Sequence, residues 1–448
     1  MDVGSTFTKA TLVDLDSARV IAAAEHRTTI DTDVLEGLDA CVAALGAEGV
    51  PVLACSSAGG GLRIAVVGNE ALVTAEAGRR VALSSGGKVV AVVAAAGRGP
   101  EDDLATVLGH TTPPPDLVLL TGGTDGGNSE VLLAAARELR ASGWRGPVVV
   151  AGNADAADEV AAILGPVPHV VADNVVPQIG VLRPEGARAA IREAFLKHVI
   201  GGKGLSVGDR FVSLVRGATP DVVLTGVEVL ATEAGDVVVV DVGGATTDVH
   251  SVVELDPALR DGRFATSSGT GPELSRDVVA PTALTRTVEG DLGMRWSAVS
   301  TIEAAGRSDL LGAATSRTAD PAYLPVSDAD HDDDEAIARA AIGLALRRHA
   351  GRARVVVGPE GRVTERSGTD LREVDLVVGS GGVLRHGRDG VAARVLAGSM
   401  GAGLDGGGQL PEHPRVVVDA VSVLAAVGLL ADEHPDAARR LARILLAT

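Results

Sequence analysis

Asp236-Val-Val-Val-Val-Asp241-Val-Gly-Gly-Ala-Thr-Thr-Asp248 is the stretch on which the reading of this chain turns. A run of β-branched residues bounded by acids favours a buried strand, being too short for a helix. The glycine pair then reverses the backbone, and Val249–Leu255 continues as a second apolar strand. The result is a β-hairpin whose turn carries an acid at the strand end, glycines that let N–H groups approach a ligand, and two hydroxyls. The chain opens on the same design: Asp2-Val-Gly-Ser-Thr-Phe-Thr-Lys9, followed by apolar Ala10–Leu15. A further strand, Val374–Val378, ends in Gly379-Ser-Gly-Gly382 and leads into Val383-Leu-Arg. Gly-rich turns also occur at Ser56-Ser-Ala-Gly-Gly-Gly61 and Thr121-Gly-Gly-Thr-Asp-Gly-Gly127.

The rest of the chain sets these turns in an α/β framework. Strands are expected at Val50–Ala54, Lys88–Ala94, Asp116–Leu120 and Pro147–Ala151. Between them Asp33–Gly46, Asn128–Ser142, Asp155–Leu164 and Glu185–Val199 read as helices. Strands alternating with helices indicate largely parallel or mixed sheets. The acids of Ser327–Asp334 read as a solvated loop capping an Ala336–Arg348 helix, a metal site being the lesser reading. The chain ends in two helical patterns, Val416–Ala431 and Asp436–Leu446.

Composition narrows the function. With 448 residues the prior is two or three domains. Lys and Arg number 40 against 59 Asp and Glu, a net charge of −19, which argues against a nucleic-acid partner. Two Trp, one Tyr and four Phe are too few to build base-stacking platforms. Cys41 and Cys55 read as reduced structural cysteines of a cytosolic protein. The N-terminus has no basic segment followed by an apolar one, so no signal peptide is read. Val416–Ala431 is broken by Asp419 and falls short of the roughly 18 apolar residues of a membrane span. The expectation is a cytoplasmic protein with no membrane partner.

The G-x-x-x-x-G-K-[ST] loop is absent, since neither Gly87-Lys88 nor Gly202-Lys203 is followed by Ser or Thr. Gly401-Ala-Gly-Leu-Asp-Gly406 has dinucleotide-type spacing but follows a helical pattern and leads into no helix, so it reads as a loop. The two hairpin turns and the Gly379–Gly382 turn fit a different plan, two related halves gripping one triphosphate. Their order resembles the phosphate-1, phosphate-2 and adenosine motifs of the actin/Hsp70/sugar-kinase ATPase superfamily. Within it, Thr121–Asn128, Asp241–His250 and Arg286-Thr-Val-Glu-Gly-Asp-Leu-Gly-Met-Arg295 are similar to the MutL/GlmL family over essentially the whole chain. These are accessory proteins of adenosylcobalamin-dependent glutamate mutase (methylaspartate mutase) and related aminomutases.

The resemblance implies two actin-like, ribonuclease H-like ATPase half-domains around a nucleotide cleft. The first half spans 1–235, with an inserted α/β unit at about 85–200. The second spans 236–405, and the C-terminal helices of 406–448 return to the first. It implies ATP and Mg²⁺ as cofactors, with Asp2 and Asp241 at the metal. Gly4, Ser5, Thr6, Gly243, Gly244, Thr246 and Thr247 fall on phosphates, and Gly379, Gly381 and Gly382 at the adenosine. Lys9 meets phosphate charge or is a solvated strand residue, and Asp248 orients water or supports the turn. Glu289 and Asp291 are water-orienting candidates alongside Asp241 in the catalytic set, because they share one Gly-containing turn; a structural or partner-facing turn is the competing reading. Asp125 contacts a ligand or the mutase, or caps the following helix. The implied function is ATP-dependent reactivation of a mutase by release of damaged cobalamin. The alternatives are a small-molecule kinase, a nucleotide-gated scaffold, or a hydantoinase-like or polyphosphatase relative. A longer apolar strand is also expected ahead of Asp2, with the true start codon lying upstream.

Overall fold

The computed structural model describes residues 1–69, 74–94, 104–254, 282–358, 361–401 and 408–447. Residues 402–407, which hold most of the Gly401–Gly406 loop, lie outside them, as does Leu255 at the end of the second hairpin's return strand. The chain forms two compact units, one built from Met1–Thr225 with Gly428–Asp432, the other from most of the chain after Gly226.

In the first unit, strands β1 (Asp2–Val3), β2 (Phe7–Asp14), β3 (Arg19–Arg27) and β4 (Ala54–Ser56) form a sheet that is completed much later in the chain. Pairing of β4 starts at Ala54, downstream of the expected Val50; Pro51, within the expected stretch, has no N–H to give a ladder. The chain then leaves this sheet for a second one: β5 (Leu62–Gly68), β6 (Gly87–Ala94), β7 (Leu117–Leu120), β8 (Val148–Val150) and β9 (His169–Val171). It returns with β10 (Val215–Ala218). The first sheet therefore runs β10-β4-β1-β2-β3, antiparallel across β1-β2-β3 and parallel across β1-β4-β10. The other is wholly parallel, in the order β6-β5-β7-β8-β9. Its inner strands β5, β7 and β8 are short apolar runs buried on both faces, while the edge strands β6 and β9 are partly exposed. Helices Glu130–Ala141 and Ala157–Leu164 cover one face with Leu132, Leu139, Val160 and Leu164.

The second unit repeats the first sheet's plan. Strands β11 (Val237–Val242), β12 (Thr247–Val252) and β13 (Leu284–Glu289) run antiparallel. The short hairpin β14 (Arg352–Gly358) and β15 (Gly361–Ser367) stands apart, and β16 (Leu376–Ser380) and β17 (Arg415–Val418) add in parallel beside β11. The order is β13-β12-β11-β16-β17. One face of this sheet packs Val238, Val240, Val242 and Val249 on the helix Asp328–Ala350 through Ile337, Ala341, Ala345 and Leu346.

Two further expectations change. The C-terminal apolar stretch is not one helix, since Arg415–Val418 is a strand and Val423–Leu430 a helix. Three successive valines pair with β16, and Asp419 ends the strand by accepting hydrogen bonds from the N–H groups of Val423 and Leu424. The acids of Ser327–Asp334 are not a loop either. The helix already begins at Asp328, capped by Ser327 with Asp330 completing a capping box. Asp334 and Glu335 turn inward, Asp334 to Arg295 and Arg317, Glu335 to Arg388 and Arg394. Among the described residues, no group of three or more His, Cys, Asp or Glu side chains is placed to hold a metal, and no helix is long and apolar enough to cross a membrane. Cys41 and Cys55 are both buried and unbridged, and burial pushes both thiols up.

His349 lies buried within this unit, 2.8 Å from the Ser251 hydroxyl and 3.0 Å from that of Thr287. Burial pushes it down to about 4, and burial likewise lowers His250. Both rings are neutral in the fold and gain a proton on unfolding below about pH 6.5. Their contribution is therefore intact above that value and lost as pH falls toward about 4. Urea unfolding should show the protein weaker at pH 5 than at pH 7 by about 2 kcal/mol from His349 alone. His349→Gln should reduce that difference.

Candidate functional site

The turn between β11 and β12 is held from behind by the segment that follows β13. Gly243 N–H donates to the Thr246 carbonyl at 2.9 Å and closes the turn. Met294 N–H donates to the Gly243 carbonyl at 2.9 Å and Arg295 N–H to the Gly244 carbonyl at 2.8 Å. The Ser297 hydroxyl donates to the Ala245 carbonyl at 2.6 Å. Gly293 permits this approach, since a Cβ there would stand 2.7 Å from the Gly244 oxygen. The carbonyls from Gly243 to Thr246 are thus all spent on the fold. Among the described residues, the N–H groups of Gly244, Ala245 and Thr246 have no acceptor. Successive unspent N–H groups in a tight turn form a cradle for an anion. Beside it, the half-buried carboxylate of Asp241 makes no hydrogen bond or ion pair among the described residues, a donor suited to a hard cation or its water.

Ladder register sorts the remaining side chains by face. Asp241 pairs with Asp248, and His250 with Arg286, on one face; Val242, Thr247 and Glu289 lie on the other. Arg286, 3% exposed, donates to Asp248 Oδ1 at 2.6 Å, and the Thr246 hydroxyl donates to Oδ2 at 3.1 Å. The Thr247 hydroxyl is instead fully buried and donates to the Leu292 carbonyl. Glu289 and Asp291 are both held by Arg348, at 2.6 and 2.7 Å. That guanidinium holds the Asp291 carboxyl below its ordinary range, which makes it a poor base. Glu289 points to the opposite face of the sheet from Asp241.

The first-unit turn has the same construction. Gly4 N–H donates to the Phe7 carbonyl at 3.1 Å. Thr28, just after β3, gives its hydroxyl to the Gly4 carbonyl at 2.8 Å and its N–H to the Thr6 carbonyl at 2.9 Å. Ser5 and Thr6 are exposed, and their N–H groups are unspent among the described residues. Asp2 accepts from the Thr219 hydroxyl at 2.7 Å, and Lys9 stands directly opposite it across β1-β2. Asp2 and Lys9 thus occupy the ladder positions that Asp241 and Asp248 occupy in the second unit.

Parallel pairing of β11, β16 and β17 brings their carboxyl ends together. Asp241 lies opposite Ser380, and the Asp419 N–H donates to the Gly379 carbonyl. Gly381 has φ +119°, and a Cβ there would collide with the Val242 carbonyl. Gly379 has no room for a side chain against Leu384 and Leu396, whereas Gly382 faces open space. Asp419, known from sequence only as a break in an apolar run, is buried beside Arg385 and Asp241, and burial raises its carboxyl. Arg286, Arg295 and Ser297 carry no periodicity or spacing that marks them; only the ladder and the turn reveal their roles.

The Thr121–Asn128 turn is braced internally. Asp125 accepts from Ala154 N–H and from the Asn174 amide, and Asn128, not Asp125, accepts from Glu130 N–H at the start of the following helix.

A family model described as MutL protein matches residues 1–445. Protein MutL of Clostridium tetanomorphum is 36% identical over 473 aligned residues, covering 98% of this chain and 97% of that protein. Among solved structures, nucleotide-free acetone carboxylase is similar at a TM-score of 0.39 and 15% identity, covering 96% of this chain and 69% of that one.

Gly381→Ala should cost about 1–3 kcal/mol through its positive φ and the carbonyl collision. Gly382→Ala should be nearly neutral. Denaturant midpoints of the two variants against wild type check this contrast.

Proposed function

This chain belongs to the MutL protein family, and on that premise we propose that it is an ATP-dependent accessory protein of an adenosylcobalamin-dependent mutase, glutamate mutase or a related aminomutase. Its task is to release damaged cobalamin from the inactivated mutase so that intact cofactor can rebind. Family membership supports the mutase partner. The nucleotide reading rests on one observation above the rest: a turn whose carbonyls are all spent inward while three successive N–H groups have no acceptor among the described residues, beside the Asp241 carboxylate, which has no partner among them either.

Each unit reads as an actin-like half-domain. The support is the common strand order and the common turn, closed in both by a glycine N–H to the carbonyl three residues on. In this reading Gly243, Gly244 and Thr246 of the second-unit turn, and Gly4, Ser5 and Thr6 of the first-unit turn, are each suited to phosphate. Asp241, and in its own unit Asp2, would each suit Mg²⁺ directly or through its waters, Lys9 would meet phosphate charge, and Gly379–Gly382 would lie at the adenosine. Mg²⁺ bound there would supply charge neutralisation at the phosphates. The chain's own contribution is fixed N–H donors that need no rearrangement as that charge develops. Nothing in this chemistry needs a protein nucleophile.

Asp241→Ala should lower ATP turnover by about 100-fold with an unchanged melting temperature, because it removes an unpaired group from the end of a strand. Unchanged turnover would remove Asp241 from the site. The partner is tested by incubating the protein and ATP with a mutase blocked by damaged cobalamin and supplying fresh adenosylcobalamin. Mutase activity should return only when both ATP and this protein are present. Equal recovery with fresh cofactor alone would overturn the reactivation reading.

A further inference from the structure

We propose that Thr246 orients the water that attacks the terminal phosphate, acting through its oxygen as an acceptor, with Asp248 and Arg286 as its positioning residues. This rests on the Gly243–Thr247 turn being the nucleotide site. Asp248 sits across the ladder from Asp241, so the two share a face. Its Oδ1 is held by the buried Arg286 guanidinium at 2.6 Å. Its Oδ2 lies 3.1 Å from Thr246 Oγ1. An ion-paired carboxylate has no hydrogen to give, so the hydroxyl must be the donor of that bond.

A threonine hydroxyl has one hydrogen and two lone pairs. With the hydrogen committed to Asp248, the oxygen can present only lone pairs to a ligand. Lone pairs repel a phosphate oxygen and accept from a water. The backbone N–H of the same residue is unspent and suits the phosphate. One residue thereby offers a donor for phosphate and an acceptor for water side by side, the pairing that in-line hydrolysis needs.

The other candidates are occupied. The Thr247 hydroxyl is buried on Leu292. Glu289 and Asp291 are bound to Arg348, with Glu289 on the opposite face from Asp241. His250 is buried. In the step itself the water oxygen bonds to phosphorus as the bridging P–O bond breaks. The departing diphosphate keeps that electron pair, and the water's proton passes to an oxygen of the released phosphate. Thr246 aligns the water and changes no bond.

The test measures kcat for ATP hydrolysis and, separately, equilibrium binding of Mg·ATP by dialysis, for Thr246→Ser, Thr246→Val and Asp248→Asn. Thr246→Ser keeps the hydroxyl and should retain turnover. Thr246→Val and Asp248→Asn should lose kcat by roughly 10–100-fold while binding Mg·ATP as wild type does. In Asp248→Asn the amide can donate to Thr246, which takes up one lone pair and releases the hydroxyl hydrogen, so the oxygen is no longer fixed as an acceptor for the water while the backbone donors to phosphate are kept. Thr246→Val is near-isosteric in a half-exposed turn and keeps the test valid where Asp248→Asn melts early. Loss of affinity with kcat unchanged at saturation would make Thr246 a phosphate donor and overturn the assignment, and so would turnover unaffected by Thr246→Val. Failure of the wild-type protein to bind ATP would overturn the nucleotide reading itself, and the assignment with it.

Discussion

The hydrogen bonds from Met294 and Arg295 to the carbonyls of Gly243 and Gly244 are the constraint on which the second unit's site depends. A glycine turn left to itself samples many conformations and presents carbonyls and N–H groups alike. Here the chain emerging from β13 takes up the carbonyl side and leaves the N–H side. Arg295 also reaches the Tyr323 carbonyl and Asp334, and Asp334 is shared with Arg317. The turn is therefore anchored through one residue to the start of the unit's longest described helix. Loop conformation, which is entropically costly to fix, is supplied by groups already ordered for packing.

The two hairpin sheets solve the same problem with different residues. In the second unit the brace comes from two backbone N–H groups and a serine; in the first it comes from Thr28, through its hydroxyl and its N–H. Where β12 carries Asp248, β2 carries Lys9. A common backbone plan thus carries opposite charges at equivalent ladder positions. The acid comes with a buried arginine partner, while the lysine faces the acid of its own strand pair. The two turns therefore present different charge to whatever lies beside them.

Much of the framework was legible in the sequence because it rests on short-range signals. Four consecutive valines before Asp241 mark a strand, and the glycines after it mark the turn. The helix read over Asp33–Gly46 forms as Val34–Ala44, with Asp33 as its cap. What could not be read lies in long-range pairing. The acids of Asp328–Asp334 look solvated until Arg295 and Arg317 are known to lie beside Asp334. Val416–Ala431 looks like one apolar element until β16 is there to pair with its first half. The hydroxyls of Thr246 and Thr247 are equivalent in sequence, but strand alternation sends one toward Asp248 and the other into the core. Glu289 and Asp291 drew attention as neighbouring acids, and Arg348, far along the chain, accounts for both.

The parallel sheet β6-β5-β7-β8-β9 is threaded into the first sheet between β4 and β10, which pair directly with each other. The first sheet's last strand pairing therefore closes a loop that contains an entire second sheet. For a flexible loop of that length the closure entropy would be large and the search slow. If the intervening segment orders first, it becomes a short rigid bridge whose ends are already near, and β10 has little left to search. During synthesis β1 to β4 emerge first, and the β4 edge waits for a partner until the inserted sheet has been made. An exposed strand edge is a template for wrong pairing. At three residues, β4 offers a stray strand few bonds during that interval.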